Sequence, residues 1–66
     1  MQIYVNGEAV EAAEGATVAE LLRQLKISDK PVAVEVNKNL SPRQNHARHR
    51  LEAGDRLEIV TLVGGG

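Results

Sequence analysis

The sequence predicts an α+β domain in which one helix packs across a mixed sheet of four or five strands. Three observations predict it. Apolar and polar residues alternate on both sides of Asn6-Gly7, which marks a hairpin. Val18, Leu21, Leu22 and Leu25 recur at i, i+3, i+4 and i+7, which marks one buried helical stripe. Further runs of strand character, VAVEV and LEIVTLV, follow that helix. The stripe needs an apolar partner, and one face of a sheet is the only surface large enough.

The elements follow in order. In MQIYVNGEAVEA the Asn-Gly pair suits a type I′ turn, because both central positions take positive φ. That turn sets Val5 opposite Glu8, Ile3 opposite Val10 and Met1 opposite Ala12. Met1, Ile3, Val5, Val10 and Ala12 then share one face, and Gln2, Tyr4, Ala9 and Glu11 the other. EGATVAELLRQLKI reads as a helix. Gly15 breaks the strand, and Thr17 with Glu20 three residues on makes a capping box. Arg23, Gln24 and Lys26 fall on the solvent side, and Lys26 suits the negative end of the helix dipole. The helix is expected to stop by Ser28-Asp29, with Pro31 blocking continuation. Val32, Val34 and Val36 alternate with Ala33 and Glu35 in a third strand. Asn37-Lys38-Asn39 is a turn, and NLSP a short edge strand with Pro42 at its end. RQNHARHRLEAGD is a polar connection with room for one helical turn, closed by a tight turn at Ala53-Gly54-Asp55. In the last strand Leu57, Ile59 and Thr61 share one face, and Val60 and Leu62 the other. A strand apolar on both sides runs through the middle of a sheet or meets something on its second face. The first and last strands are therefore the central candidates, and the crossover through the helix makes the sheet mixed.

Composition narrows the function. At 66 residues there is one domain and no room for a deep catalytic cleft. With no Cys, disulfides, thiolate metal sites and thiol nucleophiles are excluded. A net charge of −1 does not mark a nucleic-acid binder. No charged-then-apolar leader and no apolar run near ~20 residues is present, so the expectation is a cytoplasmic protein with no membrane partner. Ser28 and Ser41 lie in turns, Thr17 serves as a cap, and the carboxylates are dispersed, so the chain is expected not to be an enzyme. The basic stretch Arg43, Arg48 and Arg50 with His46 and His49 reads first as a solvated loop and second as the charged rim of a protein interface. His46 and His49 offer zinc only two ligands, and no aromatic is interleaved for base stacking.

The sequence ends LEIVTLVGGG. Glycine is roughly 7% of average sequence, so three at a chosen position arise by chance about once in three thousand chains. Two readings stand. Gly64, Gly65 and Gly66 are a frayed end, or they are a strap that reaches about 10 Å and threads a narrow channel in a partner. The same choice applies to Val60 and Leu62. They form an apolar docking patch leading to the tail, or a loop or Tyr4 covers them.

VNGEAV, TVAELL, VAVEVN, SPR, a following His, and L–GD–LEIV–LVGGG together resemble the ThiS family of sulfur-carrier proteins of thiamin biosynthesis, over essentially the whole chain. The diglycine end is specific to the wider group of ubiquitin-like β-grasp sulfur carriers, and here it is extended to three glycines. The resemblance implies a ubiquitin-like β-grasp domain over residues 1–63 and a flexible glycine tail over 64–66. It implies that an ATP-dependent adenylyltransferase, similar to ubiquitin-activating enzymes, couples AMP to Gly66. Sulfur from a persulfide donor then displaces AMP, leaving a thiocarboxylate that thiazole synthase takes into the thiazole ring. No bound cofactor is implied, only covalent AMP and sulfur at Gly66 in turn. Val60, Leu62 and Val63 are the expected docking residues. A ubiquitin-like protein modifier, or a carrier for tRNA thiolation, molybdopterin or cysteine synthesis, would use the same tail.

Overall fold

The computed structural model describes residues 1–62. What is expected of Val63 and of the Gly64–Gly66 tail, and of the boundary between them, lies outside the described residues. The elements run β1 (Gln2–Val5), β2 (Glu8–Glu11), α1 (Val18–Gln24), β3 (Val32–Val36), β4 (Asn39–Ser41), a 3-10 turn (Arg43–Asn45) and β5 (Arg56–Thr61). The strands form one five-stranded sheet in the order β2-β1-β5-β3-β4. β1 and β5 are parallel and the other pairs antiparallel, so the sheet is mixed, with β5 at its centre.

The first hairpin has the expected register, with Ile3 opposite Val10 and Val5 opposite Glu8. Asn6 and Gly7 take φ of 51° and 86°, as a type I′ turn requires. The Ala12 N–H donates to the Met1 carbonyl at 2.8 Å, which carries the pairing one step further. The second hairpin turns the same way without glycine. Asn37 and Lys38 stand at φ 52° and 71°, and Val36 pairs with Asn39.

α1 packs on one sheet face. Ile3, Val18, Leu21, Val34 and Leu57 are its largest fully buried side chains, joined by Leu22, Val36, Leu51 and Ile59. Fully burying one such side chain contributes about 1.5–3 kcal/mol, and with Ala12 and Ala16 this cluster is the core among the described residues. The capping box is present: the Glu20 N–H donates to Thr17 Oγ1 at 3.1 Å, and the Thr17 N–H to Glu20 Oε1 at 2.8 Å.

The helix is shorter than its periodicity predicts. It ends at Gln24 with Leu25 as C-cap, inside the Ser28-Asp29 limit but short of Lys26-Ile27. Lys26 takes φ 63°, its N–H donates to the Arg23 carbonyl at 3.0 Å, and the Ile27 N–H donates to Leu22 at 3.0 Å. Those two bonds are a Schellman motif, normally built on glycine, and they satisfy carbonyls that would otherwise be orphaned. Leu25 and Ile27 still pack partly against the core, so the apolar period outlasts the helix that it was read from. No helix among the described residues is long and apolar enough to cross a membrane.

Candidate functional site

The end of β5 and the sheet face turned away from α1 are the parts that the fold leaves open. Leu57 and Ile59 point into the core at 1% and 8% exposure, while Val60 and Leu62, on the opposite alternation, are 58% and 49% exposed. Val60 lies beside Ala33 in the register with β3. Beyond the strand, the Leu62 N–H donates to the Pro31 carbonyl at 2.8 Å and keeps the chain on the sheet. Among the described residues neither a loop nor Tyr4 covers this patch. The Tyr4 ring lies 4.7 Å beneath the Arg56 guanidinium, and its hydroxyl accepts from Gln2 Nε2 at 2.9 Å.

Three features of this face escaped the sequence reading. Leu40 is 68% exposed, the most open large apolar side chain among the described residues. Its signal was in NLS, where Ser41 points inward at 4% exposure and alternation sends Leu40 out. Next, Glu35 stands directly opposite Glu58, so two like charges share the centre of the face, an arrangement that costs stability by itself. Last, Asn6 clamps β5 from the side. The Ile59 N–H donates to Asn6 Oδ1 at 2.8 Å, and Asn6 Nδ2 donates to the Ile59 carbonyl at 3.1 Å. The side-chain amide continues the ladder where β1 has ended, and it holds β5 firmly just before Val60.

The side chains of Arg43, Arg48 and Arg50 are exposed, as a solvated loop would have them, but the stretch is also tied to the fold. His46 is 6% exposed, and its Nε2–H donates to the Ser41 carbonyl at 2.8 Å. The Val18 N–H donates to the His49 carbonyl at 2.9 Å and the Ala19 N–H to the His46 carbonyl at 3.0 Å. With Thr17 Oγ1 on Glu20, the first three helical amides are all satisfied, two of them by this stretch. Arg50 donates to the Gly15 carbonyl at 2.9 Å, and Leu51 is buried. The physical reason is the helix start: its amides needed carbonyls, and a chain segment rich in charged side chains supplies them from its backbone. Ser41 Oγ and His49 Nδ1 share a hydrogen bond of 3.1 Å, but the serine is buried, so the hydroxyl fastens the stretch to β4 and is not presented as a nucleophile. Among the described residues no three His, Asp or Glu side chains are grouped to hold a metal.

Comparison with known proteins gives a consistent picture. The ThiS family model matches residues 3–66. The chain is 36% identical over 66 residues to the sulfur carrier protein ThiS of Escherichia coli, covering the whole of both. It is 38% identical over the same length to the thiazole synthase of Paramagnetospirillum magneticum, and likewise to that of Magnetococcus marinus. The chain spans only 20% of the length of each thiazole synthase. Its fold superimposes on the crystal structure of the thiamine biosynthesis protein ThiS from Geobacter metallireducens with a TM-score of 0.81, at 34% identity and with full coverage of both chains. That likeness agrees with the β-grasp arrangement of one helix on a mixed five-stranded sheet.

Proposed function

The chain belongs to the ThiS family, and on that premise we propose that it is a sulfur carrier of thiamin biosynthesis whose cargo is held at the Gly66 carboxylate. The observation that carries this reading is the family match, which continues through the glycines to residue 66. The chemistry supports it. A carboxylate does not accept a sulfur nucleophile directly. Transfer of AMP from ATP makes a mixed anhydride and releases pyrophosphate; the outer sulfur of a persulfide then attacks the acyl carbon and AMP leaves. A second thiol of the donor or its enzyme cleaves the S–S bond of the acyl disulfide, forming a disulfide with the donor and freeing the thiocarboxylate. The sequence holds no Cys, so no side-chain thiol competes for the sulfur. Glycine at the acyl position has no Cβ to crowd either approach.

The carrier is acted upon and does not itself catalyse. Its partners are an ATP-dependent adenylyltransferase, a persulfide donor and, as acceptor enzyme, a thiazole synthase. The two thiazole synthases that contain a stretch 38% identical to this chain support the last of these. Ordering the tail in an enzyme costs about 1–2 kcal/mol per residue, and a docking face must offset it. The open sheet face with Val60, Leu62 and Leu40 is that face, and it leads directly into Val63 and the glycines.

Intact-mass spectrometry tests the proposal. With ATP and the adenylyltransferase, the mass should rise by one AMP; with the sulfur donor added, one oxygen should be replaced by sulfur in the C-terminal peptide. Removing Gly66 should abolish both. Equal adenylation of the truncated chain would sink the assignment.

A further inference from the structure

On the helix side of the sheet, away from Val60 and Leu62, lies a groove of about 230 Å³ between α1, the loop before β3 and the 3-10 turn. Its floor is apolar, with Leu22 and Val32, and His46 closes one wall. Arg23, Lys30 and Arg43 stand around it, one from each of the three bordering segments. These are three of the chain's eight cationic side chains, and none of its nine Asp or Glu residues lines the groove.

The remaining basic side chains of known position have a visible structural partner in two cases. Arg50 bonds the Gly15 carbonyl, and Arg56 covers Tyr4. The three groove cations have none: among the described residues the ion pairs are those of the Met1 amine alone. Three unpaired cations around one concavity repel one another, in a chain whose overall charge is −1. Arg23 gains from the negative end of α1 and from Glu20 nearby, whereas Lys30 and Arg43 have no ion pair among the described residues.

We propose that this groove docks an acidic segment of a protein partner, with carboxylates reaching Arg23, Lys30 and Arg43 and a small apolar side chain seated on Leu22 and Val32. An acidic segment fits better than a phosphate. The groove runs along α1 from Ala19 to Arg23, and the amides of the helix start are already taken by the His49 and His46 carbonyls and Thr17 Oγ1, so no amide cradle is left for a phosphate. Its apolar floor would also be wasted on a compact anion, whereas a peptide uses both floor and rim. Charged rims of this kind chiefly set on-rate and specificity, which suits an exchange between enzymes. The inference does not depend on Gly66 carrying sulfur.

The test is an amide-resolved NMR titration of the full chain with a blocked Asp-Glu-Leu-Glu peptide, its Asn-Gln-Leu-Gln analogue and inorganic phosphate. The acidic peptide should shift the amides of Ala19, Arg23, Lys30, Val32 and Ala47 selectively. Its affinity should fall about tenfold or more in Arg23→Gln/Lys30→Gln/Arg43→Gln and on passing from low to high salt. All three positions are exposed, and an unchanged melting temperature checks that the variant is folded. Arg48→Gln/Arg56→Gln, outside the groove, should bind as the native chain does. Equal binding of the neutral analogue, equal loss in the Arg48/Arg56 variant, or the same shifts with phosphate alone would overturn the proposal.

Discussion

The two faces of β5 do opposite things with the same residue types. Leu57 and Ile59 are shut beneath α1; Val60 and Leu62, one step along the alternation, are about half open to water. Nothing in the side chains distinguishes the pairs. What distinguishes them is that the chain has one helix, and a helix covers one face. The core-side pair stabilises the domain. The other pair adds little to folding and leaves apolar area for association. A strand that is central in the sheet thus serves as both the spine of the fold and the lead-in to the tail.

The sharpest way to break this comparison is to truncate both faces. Leu57→Ala should lose about 2–5 kcal/mol, as a core leucine does, and in a domain of this size that is most or all of the stability. Val60→Ala should stay within ~0.5 kcal/mol. Urea unfolding measures both; similar losses would show that the open face is covered in solution. Next come Val60→Asp and Leu62→Asp. Each should leave the unfolding midpoint nearly unchanged and weaken thiazole synthase binding about tenfold or more, roughly 1.4 kcal/mol, by titration calorimetry. Global unfolding of either variant would return those positions to the core.

The lateral hold on β5 comes third. Asn6→Ala removes both amide bonds to Ile59 and puts a poorer residue at φ 51°, so a loss of about 1–2 kcal/mol is expected, with faster hydrogen exchange at the Ile59 amide. Asn37 makes the matching clamp at the other end of the strand, accepting from the Arg56 N–H at 3.0 Å. Its turn neighbour Lys38 sits at φ 71°, so Lys38→Gly should raise stability by roughly 0.5–1 kcal/mol. A drop instead would mean that the lysine stem contributes packing that outweighs its backbone strain. The smallest effect concerns pH. The Thr17 backbone N–H, and then the Thr17 hydroxyl, hold the Glu20 carboxylate below its usual pKa of 4.5. The sign follows: this contribution is present above about pH 4.5 and is lost as pH falls through the lowered value. Glu20→Gln should flatten that part of the acid limb in a pH-dependent melting series. The open-face variants Val60→Ala and Leu62→Ala should leave it intact.

Local rules read well where each residue answers to its near neighbours. Asn6-Gly7 announced its turn, Thr17 and Glu20 their cap, and Val32, Val34 and Val36 their buried face, because the physics involved spans four residues or fewer. The helix end at Gln24 was not located because Ser28-Asp29 and Pro31 only bound it, and the chain turns earlier by placing Lys26, with no glycine to mark it, in the left-handed conformation. The stretch from 43 to 50 has the exposed arginines expected of it, but its hold on the helix start was not legible, because that hold lies in backbone carbonyls, which no residue type advertises. Asn6 bonding across 53 residues to Ile59 was equally silent: the amide that suits a turn gives no sign of a second partner.

The sequence by itself determined the first hairpin's register, the helix start, the alternation of β5 and the family to which the glycine-ended strand belongs, because those depend on spacing along the chain. Only the tertiary structure decided that Val60, Leu62 and Leu40 stay open around two facing carboxylates, and that Arg23, Lys30 and Arg43 gather around one groove. Exposure and charge clustering are properties of what lies across from a residue, and that partner is chosen by topology rather than by its neighbours in sequence.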